Sequence, residues 1–223
     1  MAFIPSCPVP SHNISKLYAI EGNIGSGKSS LLELLSHENI AIIPEPIEIW
    51  KTIKTSDGKN VLGHYYEDDR NTYLFQTMAG ITRMELFQDS AGTDKIRISE
   101  RSLFSDRIFG KVCLESGKMR DIEKECYTYF MNWLTKRFEP DIAGIIYLRC
   151  DPEICYERIL KRGRPEEEGI SFEYLCELHK SHEEWIRGHP NVLVINGNEE
   201  CTPTRNDIVK NMIYNFIGAK SEK

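Results

Sequence analysis

The chain has 223 residues, of which 40 % are hydrophobic and 28 % charged, a composition typical of globular proteins rather than disordered or fibrous ones. The 28 basic and 34 acidic residues leave a formal net charge of −6, which argues against a protein that wraps the phosphate backbone of a nucleic acid. No run of the sequence approaches the ~18 apolar residues of a membrane span. We therefore expect a soluble protein that binds neither nucleic acid nor membrane.

The N-terminal segment and the cysteines indicate the compartment. Residues 1–15 contain three prolines but no cationic start and no long apolar core, so we expect a flexible tail rather than a signal or transit peptide. The seven cysteines are odd in number and form no C-x-x-C motif, as in proteins with reduced thiols. We expect a cytoplasmic protein with one domain at residues 16–223.

Short apolar runs alternate with longer amphipathic segments, the pattern of a parallel sheet covered by helices. Strands are predicted at Leu17–Glu21, Ile40–Ile43, Ile96–Ser99, Gly144–Leu148 and Val192–Ile195. Helices are predicted near Gly27–Leu35, Asn71–Gln88, Ser105–Glu115, Ile122–Phe138, Pro152–Lys161, Ser171–Ile186 and Arg205–Phe216, and polar loops at Lys51–Asn60 and Ser90–Lys95. The predicted fold class is α/β, with a doubly wound, five-stranded parallel sheet that carries helices on both faces.

The first strand leads into a glycine-rich turn that opens the first predicted helix. Residues 22–29 fit the pattern G-x-x-x-x-G-K-[ST] in the strand-to-helix context that this motif requires. Its backbone N–H groups can surround phosphate oxygens, while Lys28 reaches the outer phosphates and Ser29 offers a hydroxyl to Mg²⁺. We predict a nucleoside triphosphate site formed by Gly22, Asn23, Ile24, Gly25, Ser26, Gly27, Lys28, Ser29 and Ser30.

Charged residues follow the second and third strands. Glu45 lies at the carboxyl end of a strand, where open α/β sheets bind ligands, and its carboxylate can accept a hydroxyl proton. After the third strand, Glu100 can hold the shell of a magnesium ion and Arg101 can neutralise a transferring phosphoryl group. A further cationic segment, at about residues 158–169, has the composition of a mobile lid over phosphates; its arginines are Arg158, Arg162 and Arg164.

Separated motifs, taken together and in this order, resemble the deoxynucleoside kinase family, and within it the deoxycytidine and deoxyguanosine kinases most. These motifs are Gly22–Ser29, Pro44–Trp50, Phe75–Thr77, Glu100–Arg107 and Arg162–Gly169. The resemblance implies a P-loop kinase fold and transfer of the γ-phosphoryl group of ATP or another nucleoside triphosphate to the 5′-hydroxyl of a deoxynucleoside, with Mg²⁺ as cofactor. It also implies a homodimer, for which the two helices predicted within residues 105–138 offer an interface.

The same resemblance implies roles for single residues. Glu45 is expected to be the general base that activates the 5′-hydroxyl, and Arg101 to stabilise the transferring phosphoryl group. Mg²⁺ is expected on Ser29 and Glu100. The residues expected to clamp the donor phosphates are the lid arginines, Arg158, Arg162 and Arg164. The pair expected to hold the sugar 3′-hydroxyl is Tyr66 and Glu167.

For the base, Gln76 and Arg83 are seven residues apart on one predicted helix and therefore face the same way. The Gln76 amide can pair with a base edge, and the aromatic residues expected to pack against the base are Trp50, Phe75 and Phe109. Arg83 and Asp106 resemble a couple that meets the polar edge of the base in deoxycytidine and deoxyguanosine kinases. Since thymidine-preferring members carry a small residue in place of Asp106, the sequence favours deoxycytidine or a purine deoxynucleoside.

Three other functions remain open at this stage. A nucleoside monophosphate kinase, such as a thymidylate kinase, shares the fold, and a thymidine-preferring deoxynucleoside kinase shares the motifs. A nucleotide-binding regulator needs only the phosphate-binding turn. Trp50 and Phe75 also suit an ordinary hydrophobic core, and Gln76 and Arg83 can satisfy each other inside it.

Overall fold

The computed structural model describes residues 16–35, 39–138 and 141–219, so the predicted tail at residues 1–15 lies outside the described residues. The strands are Leu17–Glu21 (β1), Ile40–Ile43 (β2), Ile96–Glu100 (β3), Ile142–Arg149 (β4) and Val192–Asn196 (β5). They form a single parallel sheet in the order β2-β3-β1-β4-β5. The predicted α/β fold with a five-stranded parallel sheet is confirmed.

All the helices that the sequence predicts are present. The helices are Lys28–Leu34 (α1), Ile47–Thr52 (α2), Val61–Glu67 (α3), Thr72–Asp89 (α4), Leu103–Glu115 (α5), Asp121–Phe138 (α6), Pro152–Arg162 (α7), Phe172–Ile186 (α8) and Pro203–Ile217 (α9). Short 3₁₀ turns lie at Asp69–Asn71 and Pro165–Glu167.

The sequence pattern predicts one loop at residues 51–60 and does not indicate α2 or α3. Instead, α2 continues to Thr52, Lys54 and Asn60 form an isolated antiparallel bridge, and the Asn60 side chain caps α3 by accepting from the Gly63 N–H at 2.9 Å. The two helices have only 6 and 7 residues. Helices this short are stabilised by packing rather than by their own periodicity, so the pattern was too brief to detect.

Helices cover both faces of the sheet, as predicted. On one face, Tyr18 and Ile20 of β1 pack in a core that includes Leu32 of α1 and Ile213 of α9. On the other face, Leu17 belongs to the core built mainly from α3, α4, α5 and α6. A third cluster packs α5, α7 and α8 together beside Ile24. Alternation of side chains along a strand gives each face its own layer.

The strand order brings the predicted site residues to one edge of the sheet. β1 and β3 are neighbours, and the chain then crosses to β4 on the other side of β1. In open parallel sheets, ligands bind at the carboxyl ends of the strands where such a reversal occurs. Residues 22–27 follow β1, Glu45 follows β2, and Glu100 ends β3, so they meet at this edge.

α5 and α6 approach closely at Gly110, and this contact positions one site residue. A Cβ atom on Gly110 would lie 2.3 Å from Cε1 and 2.6 Å from the hydroxyl of Tyr127. The Tyr127 hydroxyl donates to the Asp106 backbone oxygen at 2.8 Å. The lack of a side chain at Gly110 therefore lets α6 hold the segment of α5 that carries Asp106.

Gly110→Ala is expected to lower the free energy of unfolding by about 1–3 kcal/mol through overpacking, even though alanine is the better helix former. Urea denaturation measures the change. Gly188→Ala is the control, because the nearest atom to its new Cβ is the Trp185 oxygen at 3.6 Å. Equal stability of the Gly110→Ala variant and the unmodified chain would contradict this account.

Candidate active site

The glycine-rich turn is tightly enclosed. Gly22 and Gly25 have φ values of +149° and +77°, a region that favours glycine. A Cβ on Gly22 would lie 2.6 Å from the Leu148 oxygen, and one on Gly25 would lie 2.5 Å from the Cys155 oxygen. Glycine is required at both positions because the turn fits between β4 and α7.

Lys28 begins α1 and is 4 % exposed. Its Nζ donates to the Asn23 backbone oxygen at 2.8 Å. Burial, and then the nearby charge of Arg101, lower the pKa of Lys28 to about 8. The Asn23 side chain donates to the Leu175 oxygen at 2.9 Å, so this residue ties the turn to α8.

Most of the predicted site residues surround one cavity of about 250 Å³. Those from the turn and its helix are Ile24, Gly25, Gly27, Lys28, Ser29 and Ser30. Those from the rest of the chain are Glu45, Trp50, Tyr66, Phe75, Gln76, Arg83, Glu100, Arg101, Asp106, Phe109, Arg162, Arg164 and Glu167. The predicted residues that do not line this cavity are Gly22, Asn23, Ser26 and Arg158.

Glu45 lies among cations at the centre of this cavity. Its Oε1 accepts from Nε of Arg101 at 2.9 Å and lies 3.8 Å from Nη2 of Arg83. Burial alone would raise the pKa of Glu45, but the charge of Arg101, followed by those of Arg83 and Lys28, lowers it below the usual value. The carboxylate is therefore ionised at neutral pH and able to accept a proton.

Arg101 has a strained backbone at the turn between β3 and α5. Its φ is +66°, and among the described residues no other non-glycine residue has a positive φ. Its Nη1 donates to the Gly22 oxygen at 2.9 Å, and its guanidinium carbon lies 4.7 Å from the centre of the Phe109 ring. Strain of this kind persists where surrounding contacts hold it, and it is common at functional sites.

Arg83 and Asp106 form a buried, two-bond ion pair. Nε and Nη2 of Arg83 donate to the two Asp106 carboxylate oxygens at 2.8 and 3.1 Å. Nη1 donates to the Glu100 backbone oxygen at 2.9 Å. Burial opposes the charged form, but Asp106 keeps the pKa of Arg83 above its ordinary value. The pair is rigid because a guanidinium and a carboxylate match in geometry.

Ser29 and Glu100 meet beside the turn. The Ser29 hydroxyl donates to Oε1 of Glu100 at 3.0 Å. A hydroxyl and a carboxylate are oxygen ligands of the kind that magnesium prefers. The pairing of these two side chains, predicted from separate motifs, is therefore compatible with a shared metal position.

Aromatic residues line the other half of the cavity. Trp50 meets Phe75 edge to face, with ring centres 5.0 Å apart, and its Nε1 donates to the Thr82 hydroxyl at 3.0 Å. Gln76 is 2 % exposed and its Nε2 donates to the Tyr65 hydroxyl at 3.2 Å. Trp50 and Phe75 belong both to the hydrophobic core and to the cavity wall, so their place in the core does not exclude the predicted contact with a base.

The predicted lid is paired with its own carboxylate. Arg162 donates to both Glu167 oxygens, at 2.8 Å for Oε1 and 2.6 Å for Oε2, and Arg164 donates to Oε1 at 3.3 Å. The Asn60 amide donates to Glu166 at 3.0 Å, which joins this segment to the start of α3. Burial, and then the charge of Glu167, raise the pKa of Tyr66, so its hydroxyl keeps its proton.

Arg158 lies apart from the other two lid arginines. Its Nη1 donates to the Gly197 oxygen at 2.8 Å and to the Ser26 oxygen at 3.3 Å. It lines a second cavity on the other side of the turn, which also contacts Ser30 and Asn198. The sequence grouped the three arginines by proximity along the chain, whereas the helix directs Arg158 to a different surface.

The sequence pattern does not indicate two buried residues, Tyr65 in the cavity wall and Glu21 at the end of the strand that precedes the glycine-rich turn. Glu21 ends β1 and is fully buried; it accepts from Ser102 at 2.5 Å and from Ser105, and burial raises its pKa. Tyr65, 6 % exposed, lines the cavity beside Gln76. The signal for Glu21 was a carboxylate at the end of an otherwise apolar strand, and Tyr65 carried no separate signal.

Because Lys28 is predicted to attract the phosphates of ATP, the affinity for ATP is expected to fall as the pH rises through about 8, where Lys28 loses its charge. Only the protonated form attracts the anion, so the dissociation constant at pH 9 should be about tenfold above that at pH 7. Isothermal titration calorimetry measures this dissociation constant at each pH. Lys28→Met is the control and should bind weakly with little pH dependence; a flat profile for the unmodified chain would contradict the prediction.

Comparison with known proteins places this site in a family. The family model for deoxynucleoside kinases matches residues 18–218. The chain is 37 % identical over 213 residues to the "Probable deoxycytidine kinase" of fowlpox virus (strain NVSL), covering 91 % of this chain and 88 % of the relative. It is 40 % identical over 192 residues to deoxycytidine kinase 2 of Gallus gallus, covering 75 % and 72 %.

It is also 35 % identical over 170 residues to the mitochondrial thymidine kinase 2 of Homo sapiens, covering 75 % of this chain and 63 % of the relative. These matches do not favour a nucleoside monophosphate kinase or a nucleotide-binding regulator. Because the family match covers most of the sequence and the predicted motifs converge on one cavity, this chain belongs to the deoxynucleoside kinase family and is an ATP-dependent deoxynucleoside kinase.

Proposed function

We propose that this kinase transfers the γ-phosphoryl group of ATP to the 5′-hydroxyl of deoxycytidine. The observation that carries the proposal is the Glu45 carboxylate, held 2.9 Å from Arg101 between the phosphate-binding turn and the aromatic half of the cavity. A base and a cation at that position suit a reaction in which a hydroxyl attacks a phosphoryl group.

The proposed step is a single displacement. The 5′-hydroxyl gives its proton to the Glu45 carboxylate while its oxygen forms a bond to the γ-phosphorus. The bond between that phosphorus and the bridging oxygen breaks, and ADP leaves. Arg101 stabilises the charge on the transferring group, and the lowered pKa of Glu45 keeps the base ionised before the step.

The donor phosphates are proposed to bind Lys28 and the N–H groups of residues 22–30. Arg162 and Arg164 already pair with Glu167, so phosphates compete with this carboxylate for the two guanidinium groups, and the lid closes as they change partners. Arg158 contacts the donor from the second cavity, next to Ser26. This division follows the positions of the three arginines.

Ser29 and Glu100 are proposed to hold Mg²⁺, and the distance of 3.0 Å between their oxygens supports this assignment. The described residues contain no group of three or more His, Cys, Asp or Glu side chains that could hold a metal ion. The remaining ligands would therefore be phosphate oxygens and water, as is usual for magnesium. When bound, the ion neutralises charge on the phosphates.

The sugar and base are proposed to occupy the aromatic half. Tyr66 and Glu167 hold the 3′-hydroxyl, and Gln76 pairs with the base between Phe75 and the opposite wall. The Arg83–Asp106 pair, with bonds of 2.8 and 3.1 Å, faces the polar edge of the base. Relatives named as deoxycytidine kinases support deoxycytidine over thymidine and over purine deoxynucleosides.

A homodimer is proposed through α6. Exposed apolar side chains at Ile122, Tyr129 and Trp133 are spaced seven and four residues apart and so share one face of the helix.

A cytoplasmic location is also proposed, on the basis of the free cysteines of the described chain. No helix of the described residues has the length and apolar character needed to cross a membrane.

The substrate assignment is tested with labelled ATP and Mg²⁺ against deoxycytidine, deoxyadenosine, deoxyguanosine and thymidine, with thymidine monophosphate as a control acceptor. The highest kcat/KM is expected with deoxycytidine. A preference for thymidine would contradict the role assigned to Asp106 in the choice of base. Phosphorylation of thymidine monophosphate alone would contradict the proposed reaction.

Glu45→Gln is expected to lower kcat about 10²- to 10⁴-fold while the fold and nucleoside binding persist, because an amide cannot accept the proton. Glu48→Gln is the matched control, since Glu48 is 86 % exposed and pairs only with Lys51 among its described salt bridges. Steady-state kinetics and circular dichroism compare the variants. An active Glu45→Gln enzyme would rule out this residue as the base.

Trp133→Glu is expected to convert the dimer to monomers, because it places a charge on the shared apolar face of α6. Sedimentation equilibrium measures the mass. Lys124→Glu is the control, because Lys124 is exposed and lies two residues from Ile122, about 200° around the same helix and away from the apolar face. A mass of one chain for the unmodified protein would remove the proposed dimer.

A further inference from the structure

Tyr65 forms part of the cavity wall, yet the proposed reaction assigns it no role. α3 places its ring against Phe75, with centres 4.4 Å apart and planes 19° from parallel. The centre of the Tyr65 ring also lies 4.7 Å from the centre of the Tyr66 ring. Packed against these two rings and 6 % exposed, the Tyr65 ring has little freedom to move, so its hydroxyl occupies a fixed point beside Gln76.

The Tyr65 hydroxyl has three hydrogen-bond partners, and the directions of these bonds are linked. It lies 3.2 Å from Nε2 of Gln76, which is a donor, 2.9 Å from the hydroxyl of Tyr174, and 3.5 Å from Sγ of Cys113. A phenol has one hydrogen, so when Tyr65 accepts from Gln76 it can give its own hydrogen to Tyr174. Burial raises the pKa of Tyr65 well above its usual value, and the hydroxyl therefore keeps this hydrogen.

When Tyr65 gives its hydrogen to Tyr174, the Gln76 amide keeps Nε2 toward Tyr65. One Nε2 hydrogen is used by Tyr65, and the other hydrogen and Oε1 remain for a ligand. An acceptor oxygen beside a donor hydrogen complements the amino group and ring N3 of cytosine. Thymine presents the reverse order, a carbonyl oxygen and an N3–H, and would need the amide rotated with its oxygen toward Tyr65.

We propose that the hydroxyl of Tyr65, backed by Tyr174, positions the Gln76 amide and makes this kinase discriminate cytosine from thymine. The inference rests on the proposed function, since it concerns the base of that acceptor. Tyr65 is a positioning residue, because it acts through Gln76. Tyr174 lies on α8, 109 residues from Tyr65, so the selectivity depends on the packing of α3 against α8.

The test is Tyr65→Phe, which keeps the stacked ring and removes only the hydroxyl. Loss of one neutral hydrogen bond is expected to raise KM for deoxycytidine about 2- to 10-fold, with kcat within about twofold. Thymidine is measured as a competitive inhibitor, so that weak turnover does not limit the comparison. The inhibition constant of thymidine should stay constant or fall. The ratio of this constant to the KM for deoxycytidine, which measures the discrimination between the two bases, should therefore decrease.

Two further variants separate positioning from a general loss of structure. Tyr147→Phe removes another buried hydroxyl, bonded to Glu183 at 2.8 Å and outside the cavity, and should leave both constants unchanged. Tyr174→Phe keeps the Tyr65 hydroxyl but removes the partner that takes its hydrogen, so that Tyr65 can donate to the oxygen of a rotated Gln76 amide. This variant should also decrease the ratio of the thymidine inhibition constant to the deoxycytidine KM, and it tests the proposal even if Tyr65→Phe does not fold.

The outcomes distinguish this inference from the function on which it rests. Suppose that the unmodified enzyme phosphorylates deoxycytidine, and that Tyr65→Phe and Tyr174→Phe leave the ratio of the thymidine inhibition constant to the deoxycytidine KM unchanged. The role of Tyr65 is then overturned and the proposed function stands. If the unmodified enzyme phosphorylates no deoxynucleoside, the proposed function is overturned and the inference falls with it.

Discussion

A balanced set of buried charges at the carboxyl edge of the sheet is the constraint on which this structure depends. Lys28, Arg83 and Arg101 are each no more than 4 % exposed. An isolated buried charge is too costly to persist, so each needs a partner. Glu45 and Asp106 bond to Arg101 and Arg83 at 2.9 and 2.8 Å, and Lys28 donates to a backbone oxygen of the glycine-rich turn at 2.8 Å. The strand order, the tight glycine turn and the strained backbone of Arg101 all serve to bring these groups together.

This pairing shapes how the site can work. Since Arg162 and Arg164 are already paired with Glu167, a triphosphate that binds them as proposed must replace a carboxylate. The cations around Glu45 keep it ionised, so the proposed base is held by the same charges that are proposed to attract phosphate. In the proposed reaction, phosphate binding and proton transfer therefore draw on one electrostatic arrangement, and a change at Arg101 would affect both.

The aromatic half of the cavity, which is proposed to bind the nucleoside, is organised differently, by packed rings and neutral hydrogen bonds. Trp50 is held by Thr82, and Gln76 by Tyr65. Neutral hydrogen bonds contribute little net free energy, but a buried polar group left unpaired is costly. Such contacts therefore favour one orientation over another and suit the proposed choice between bases, while the charged half is proposed to supply affinity for phosphates.

The sequence alone determined the α/β class, the position of each strand, the phosphate-binding turn and the candidate acid-base residues, because these depend on patterns among near neighbours in the chain. It did not determine the strand order, the short helices α2 and α3, or the separation of Arg158 from Arg162. Glu21 and Tyr65 acquire their surroundings from residues 81 and 109 positions away. Only the tertiary structure brings such partners together, because the crossing of the chain from β3 to β4 decides which distant side chains share the low-dielectric interior where a hydroxyl or carboxylate must find a partner.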